Sequence, residues 1–178
     1  MLRRLRPVIF AALMVAAGCS SSGESKSEDA GADGDAFVGT VEGTDGLIGL
    51  VFDGEKVAGY ASDSMRLSVW LGPSEVQNGL AELKSRDTGD FQGAVEFFDG
   101  GARGELNFDG APFSFEAAPA TGEGGVYWSK EGEAESGWVV SNDGAARGLK
   151  NEGGALSEAG APKGSARTDP DREPFASG

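Results

Sequence analysis

Residues 91–117 read FQGAVEFFDGGARGELNFDGAPFSFEA, and the fold class follows mainly from this stretch. Apolar and polar residues alternate through its three segments, which is the pattern of β-strands with one buried face. A two-residue turn at Asp109-Gly110 would pair Phe108 with Ala111 and continue the apolar face into the third segment. The residues expected on that face of the third segment are Ala111, Phe113, Phe115 and Ala117. Strand period and turn length agree, so the stretch predicts antiparallel hairpins in a fixed register.

Similar short apolar runs continue on both sides of this stretch, from Phe37 to about Lys150, with glycine-containing turns between them. The predicted strands are Phe37–Glu42, Leu47–Phe52, Glu55–Ser62, Arg66–Leu71, Leu80–Lys84, Phe91–Phe98, Ala102–Phe108, Ala111–Ala117, Val126–Lys130, Glu135–Ser141 and Ala145–Lys150. Four of the Asp-Gly and Asn-Gly dipeptides in this range mark predicted hairpin turns, because these residues tolerate the positive φ angles of a type I′ hairpin. They are Asp53-Gly54, Asn78-Gly79, Asp109-Gly110 and Asp143-Gly144. The pattern predicts an all-β domain, an antiparallel meander of about 10–11 short strands in a small barrel or barrel-like sandwich.

The largest apolar side chains indicate which strands contribute to the hydrophobic core of this domain. Leu47–Phe52 is apolar on both faces, so we expect this strand to be covered on both sides or to lie centrally. Trp70, Trp128 and Trp138 lie on three different predicted strands, and core packing is the favoured interpretation. An aromatic platform of exposed tryptophans that stack on a carbohydrate is the alternative.

Both ends of the chain differ in composition from the domain. Residues 20–35 consist of Ser, Gly, Ala, one Lys and acidic residues, which predicts a flexible tether. Residues 151–178 are rich in Gly, Ala, Pro and Ser and lack an apolar segment, which predicts a disordered tail. The predicted organisation is a signal peptide at 1–18, an acidic tether at 19–36, a β domain at 37–150 and a tail at 151–178.

Cys19, the only cysteine, closes the run Leu13-Met14-Val15-Ala16-Ala17-Gly18-Cys19. Three arginines near the N-terminus precede an apolar segment of ten residues, Val8–Ala17, which is too short for a permanent membrane span of ~30 Å. Small residues occupy the positions before Cys19, as signal cleavage requires. This order resembles a bacterial lipoprotein, although the usual lipobox carries Leu where this chain has Ala16. An ordinary secretory signal with a chance cysteine is the alternative.

The lipoprotein resemblance implies an exported protein. Its lipid on Cys19 would hold the chain at the outer face of the cell membrane, or in the outer membrane of a Gram-negative source. The membrane is therefore the first expected partner. Cys19 is the only residue to which the sequence assigns a functional role, namely lipidation.

The net charge of the chain limits which other classes of partner it can bind. The whole chain has a net charge of −14, and removal of the three signal arginines leaves 12 bases against 29 acids, a net charge of −17. Such a surface repels nucleic acid and anionic headgroups, so we expect no nucleic-acid binding, and any partner recruited by charge should be cationic.

The residue inventory also limits the chemistry. The chain has no histidine, which excludes Ser-His-Asp triads and histidine-bearing zinc sites. A pair of carboxylates remains chemically possible for an enzyme, but no motif places one. We therefore expect a protein that is not an enzyme, with no catalytic, cofactor-binding or metal-binding residues.

Four segments give a further resemblance: Val57–Asp63, Val69–Gly72, Gly124–Trp128 and Gly137–Gly144. Together they are similar to small all-β modules in exported and lipid-anchored proteins of high-GC Gram-positive bacteria. This resemblance implies the fold and the location and carries no activity with it.

Two hypotheses for the function remain. The first is a lipid-anchored envelope protein whose β domain is a non-catalytic interaction or structural module, in contact with another envelope protein or the cell wall. The second is a carrier of a small apolar ligand, with a lipocalin-like barrel cavity lined by the apolar face of residues 91–117.

Overall fold

The computed structural model describes residues 35–160 and the backbone of residues 166–167, and every regular element in this part of the chain is a β-strand. The strands are β1 (Asp35–Val41), β2 (Leu47–Phe52), β3 (Lys56–Ser62), β4 (Ser68–Glu75), β5 (Leu80–Lys84), β6 (Phe91–Phe98), β7 (Gly101–Phe108), β8 (Ala111–Pro119), β9 (Gly125–Glu131), β10 (Ala134–Val140), β11 (Ala146–Glu152), β12 (Ala155–Glu158) and β13 (Ala166–Arg167). The predicted all-β antiparallel fold is confirmed. The first eleven strands correspond one to one with the predicted ones.

Eight strands form a nearly closed barrel in the order β4-β3-β2-β1-β8-β7-β6-β5. The two edge strands approach each other at an antiparallel bridge between Leu71 and Ser85. Next to it, the backbone N–H of Arg86 donates to the carbonyl of Trp70 at 2.8 Å. Strands β1 and β8 pair although about 70 residues separate them, and this pairing joins the two halves of the barrel.

The register predicted for residues 91–117 is confirmed. Phe108 pairs with Ala111, and the turn between them has positive φ at both Asp109 (50°) and Gly110 (77°), as a type I′ hairpin requires. On β8, Phe115 is buried in the barrel, whereas the neighbouring Glu116 is exposed. Alternation and turn chemistry therefore specify this part of the sheet.

The four dipeptides named above all lie at turns between strands, but only two of them use positive φ at both positions. Asn78-Gly79 does so, like Asp109-Gly110. In the β2–β3 turn only Gly54 has positive φ, and the Asp53 carboxylate instead accepts two backbone N–H groups. The turn at residues 142–144 has three residues, with positive φ at Gly144 alone. The position of the dipeptide in the turn matters as well as the loop length: the β2–β3 loop also has two residues, but these are Gly54 and Glu55, because Asp53 pairs with Lys56.

The barrel interior is filled by one cluster of apolar side chains. Its buried members are Phe37, Val41, Ile48, Leu50, Val57, Ala61, Leu67, Leu71, Ala81, Leu83, Val95, Ala102, Leu106, Phe115 and Ala117. Two further rings, Phe52 and Phe97, stack with their centroids 4.6 Å apart and pack against this cluster. Every strand of the barrel contributes to the cluster, so the interior is a packed core.

The remaining strands form a second sheet in the order β12-β11-β10-β9-β13. This sheet covers the outer face of β1–β3 through a second apolar cluster. The buried members of that cluster are Val38, Leu47, Val51, Ala58, Tyr60, Trp70, Val126 and Val139. Gly49 permits the close approach, because a Cβ there would lie 2.5 Å from Val126. The strand at Leu47–Phe52 is thus buried on both faces, as its sequence indicated.

Two of the three tryptophans are buried, which confirms core packing for them. Trp70 is 7% exposed and Trp138 is 6% exposed, whereas Trp128 is partly buried against the second cluster. Trp138 pairs with Gly148 across β10 and β11, and its indole N–H donates to the carbonyl of Gly160. The ring therefore packs beneath chain that lies beyond the predicted end of the domain.

The β structure continues past residue 150, where the sequence placed the boundary of a disordered tail at 151–178. Strand β11 ends at Glu152, and a turn at Gly153-Gly154, both with positive φ, leads into β12. All four side chains of β12 are exposed, so no apolar period revealed this strand. Backbone pairing with β11 holds it, and residues 155–158 belong to the folded domain. The predicted signal peptide, Cys19 and residues 20–34 of the tether lie outside the described residues.

Candidate functional site

The two ends of the barrel are formed by different sets of loops and turns. The mouth end consists of the loops at residues 42–46, 63–67 and 85–90 and the turn at 109–110. The base end consists of the turns at 53–55, 76–79 and 99–100, and β1 begins there at Asp35. Because β1 runs from the base end to the mouth end, the chain enters the barrel at the end opposite the mouth.

A pocket of about 360 Å³ lies at the mouth end. It is lined by Val41, Gly43, Thr44, Asp45, Asp63, Met65, Arg66, Leu67, Leu106, Phe108 and Phe113. Val41, Leu67 and Leu106 are buried and form an apolar floor. Phe108 and Phe113, which are partly buried, lie on either side of the β7–β8 turn. Met65, 74% exposed, is the large apolar side chain on the rim.

Side-chain hydrogen bonds fix the two loops that border this pocket. The Asp63 carboxylate accepts backbone N–H groups of Met65, Arg66 and Leu67 at 2.7, 2.7 and 2.9 Å. Partial burial would raise the pKa of Asp63, but these three donors outweigh it and hold the pKa below its ordinary value. In the other loop, Thr44 Oγ1 donates to the carbonyl of Val41 and accepts the N–H of Gly46.

The second sheet supports the same two loops from outside. Arg147 Nε donates to the carbonyl of Asp45 at 2.9 Å, and the N–H of Gly148 donates to Ser64 Oγ at 2.9 Å. Both donors lie on β11. The mouth is therefore built from local turns of the barrel and from strand β11, more than 80 residues later in the chain.

Charged groups on the pocket rim are only partly engaged. Asp63 is committed to its loop, as described above. For the Asp45 carboxylate and the Arg66 guanidinium, no hydrogen bond or ion pair forms with any residue that the structure describes. The pocket thus combines an apolar floor with unpaired charges of both signs at its edge.

A second polar cluster lies where the second sheet meets the gap between β4 and β5. Arg86 Nη1 donates to Glu135 Oε1 at 2.6 Å, and Trp128 Nε1 donates to the same oxygen at 3.1 Å. The guanidinium also lies 5.3 Å from the ring centroid of Trp70. Burial lowers the pKa of Arg86, but the carboxylates of Glu135 and Asp87 outweigh it and raise the pKa overall. The charged and polar groups of this cluster are hydrogen-bonded to one another. We therefore interpret the cluster as a structural link between the two sheets.

Two other concavities are larger than the mouth pocket and more open to solvent. One, of about 500 Å³, lies on the outer face of β6–β8 among Glu96, Glu105 and Glu116, and Arg103 bridges it through an ion pair of 2.8 Å to Glu96. The other, of about 700 Å³, follows the gap between β4 and β5. Its edges carry Pro73 and Lys84, and proline and lysine are residue types that disfavour pairing of a strand edge with another chain.

Within residues 35–160, no group of three or more Asp, Glu, Cys or His side chains is arranged to hold a metal ion. No helix long and apolar enough to cross a membrane occurs in the part of the chain that the structure describes. Cys19, the one predicted site residue, lies outside that part.

The comparisons with known proteins return nothing similar: no family model, no curated protein and no solved structure matches the chain. The mouth pocket was not predicted, because its lining comes from three separate loops and hairpins that converge only in the folded barrel. The alternation at Phe108 and Phe113 was the only signal for it in the sequence.

Proposed function

We propose that this chain is an exported envelope lipoprotein whose β domain is a non-catalytic binding module and whose contact surface is the mouth of the barrel. The apolar pocket at the mouth end is the observation that carries the proposal. It is the concave, largely apolar surface with a few polar groups that binding sites typically present. The interior behind it is filled by side chains, so binding would take place at the rim.

The position of the mouth supports a role at the envelope. With lipid on Cys19, residues 20–34 connect the membrane to the base end, where β1 starts. If residues 20–34 form the tether that their composition predicts, its reach is on the order of 20–25 Å. The mouth, at the other end of β1, is the end of the barrel farther from this attachment point, so the connection leaves it accessible to a partner in the envelope.

A small apolar ligand is the second candidate, and the pocket volume favours it specifically. About 360 Å³ lies at the lower end of the range of roughly 300–1,000 Å³ that ligand pockets occupy. In this case the domain would be a carrier that holds its ligand at the mouth rather than in an interior cavity.

Photo-crosslinking in cells of the source organism tests the proposal and separates the two candidates. A photoreactive phenylalanine analogue replaces Met65 at the mouth in one variant and Leu80 at the base end in the control. The two side chains are similarly accessible, at 74% and 56% exposed. The binding module predicts one discrete protein adduct at position 65 and none at position 80.

Mass spectrometry of the adduct then identifies the class of partner. An adduct of a few hundred daltons at position 65 would favour the carrier. Equal crosslinking at positions 65 and 80, or none at either, would contradict a binding site at the mouth.

A further inference from the structure

We infer that the mouth pocket receives one apolar side chain from a basic polypeptide segment, whose Lys or Arg residues meet the acidic loops around the pocket. This inference rests on the proposed function and names the partner class for the same site.

The pocket has the dimensions and lining of an anchor site. Its floor is buried and apolar at Val41, Leu67 and Leu106, and Phe108 and Phe113 form its walls. A volume of about 360 Å³ accommodates a single Leu, Phe or Trp side chain together with part of its backbone. Protein interfaces concentrate their binding energy in such central pockets, which a few large side chains of the partner fill.

The charge around the pocket selects a cationic partner. Six acidic residues occupy the mouth loops: Glu42, Asp45, Asp63, Asp87, Asp90 and Asp109. Three arginines lie near them: Arg86 pairs with Glu135 and Asp87, Arg147 donates to a backbone carbonyl, and Arg66 lies unpaired on the rim. Six acidic and three basic side chains leave the mouth with a net charge of −3. Residues 35–160 as a whole contain 22 acidic and 8 basic side chains, a net charge of −14. An anionic ligand would enter against this field, whereas a basic segment is drawn to it.

The rigidity of the loops supports a pre-formed site. Asp63 and Thr44 hold the two bordering loops from within, and β11 holds them from outside. A pre-organised surface loses little conformational freedom when it binds, so a short segment is sufficient as a ligand.

The experiment uses the mature lipidated chain in phosphatidylcholine vesicles and a fluorescent peptide of sequence Lys-Lys-Leu-Lys-Lys. Control peptides carry Gly in place of Leu, or Glu in place of each Lys. Anisotropy is measured at low and high salt. Burial of the leucine predicts binding about 10-fold or more tighter than the Gly peptide. Salt should weaken that binding, and the Glu peptide should not bind.

Matched variants locate the site. Asp45→Asn with Asp109→Asn removes two acids from the mouth, and Asn at 109 retains the tolerance for positive φ that the turn needs. Glu55→Gln with Asp99→Asn removes two acids from the base end. The first pair should weaken binding of the Leu peptide several-fold, and the second should change it less than about two-fold.

Three results would overturn the inference: equal affinity for the Leu and Gly peptides, equal losses from the two variant pairs, or displacement of the Leu peptide by dodecanoate in a salt-insensitive manner. The last would establish the carrier instead. If position 65 crosslinks to a protein in cells and the vesicle-bound chain ignores the basic peptide, the partner class is wrong and the binding module stands. If neither occurs, both fail.

Discussion

The two halves of the barrel differ in how many faces of their strands are buried, and their sequence patterns differ accordingly. In the covered half, β1–β3, residues on both faces of the sheet are buried: Leu50 points into the barrel, Val51 points at the second sheet, and both are inaccessible to solvent. In the open half, β6–β8, only one face is buried: Leu106 lies in the interior, and its neighbour Glu105 is exposed.

The sequence pattern of a strand therefore indicates how many layers of structure cover it. Strict alternation indicates a strand with one layer against it, and a continuous apolar run indicates a strand between two layers. The consequence extends to the mouth, because the sheet that covers β1–β3 also holds the loops at Asp45 and Ser64. In this molecule, the covered half provides the fixed side of the site.

The largest expected effect is on the covering sheet itself. Trp138→Ala removes a ring that is 6% exposed and that donates to the carbonyl of Gly160. The free energy of unfolding should therefore fall by about 3–5 kcal/mol. Urea denaturation of the mature chain measures the change. Tyr127→Ala, at the paired position on β9 and partly exposed, is the control and should cost less. A Trp138 variant as stable as the wild type would mean that the covering sheet is not packed as described.

The comparison between the halves is tested directly by two outward-facing positions. Val51→Ala should destabilise by roughly 2–3 kcal/mol, since it leaves a space beneath the second sheet. Glu105→Ala, on the solvent face of β7, should change stability by less than about 0.5 kcal/mol. Both values come from the same denaturation experiment. Similar changes at the two positions would remove the distinction between a covered and an open half.

The smallest expected effect concerns the Asp63 loop at the mouth. Its three backbone donors hold the folded pKa of this carboxyl below its ordinary value, so its contribution to stability is fully present above the ordinary pKa and is lost as pH falls through the folded pKa. Asp63→Asn should therefore be less stable than the wild type at about pH 7, and the difference should narrow towards about pH 3. Because the carboxylate is only partly buried, screening by solvent limits the difference to about 1 kcal/mol or less. Thermal melts across this range decide it, and a constant difference would exclude the carboxylate charge as its cause.

The sequence predicted the local structure of the barrel and little of its long-range pairing. Alternation and the Asp109-Gly110 turn were sufficient for β6–β8, because strand period and loop length are properties of neighbouring residues. The pairing of β1 with β8 and the ion pair of Arg86 with Glu135 join segments that are distant in the chain, and no local pattern encodes them. The double burial of Leu47–Phe52 indicated a covering layer without identifying it.

Two other features were missed for a related reason. Strand β12 is exposed throughout, so only its backbone pairing defines it. The mouth pocket arises where Leu67 and Phe113, which belong to separate hairpins, approach each other at the end of the barrel. In the sequence, Leu67 and Phe113 cannot be distinguished from other core residues. Only the folded barrel shows that they line a pocket.

The proposal that a lipid on Cys19 presents the barrel at the envelope is tested most directly by incorporation of labelled palmitate. Wild type and Cys19→Ala are expressed in the source organism, with Ser20→Ala as the matched neighbour. We predict label and partitioning into detergent for the wild type and for Ser20→Ala, and no label for Cys19→Ala, because stable anchoring requires the acyl chains. A wild-type chain that takes up no label and fractionates as a freely secreted protein would contradict the claim.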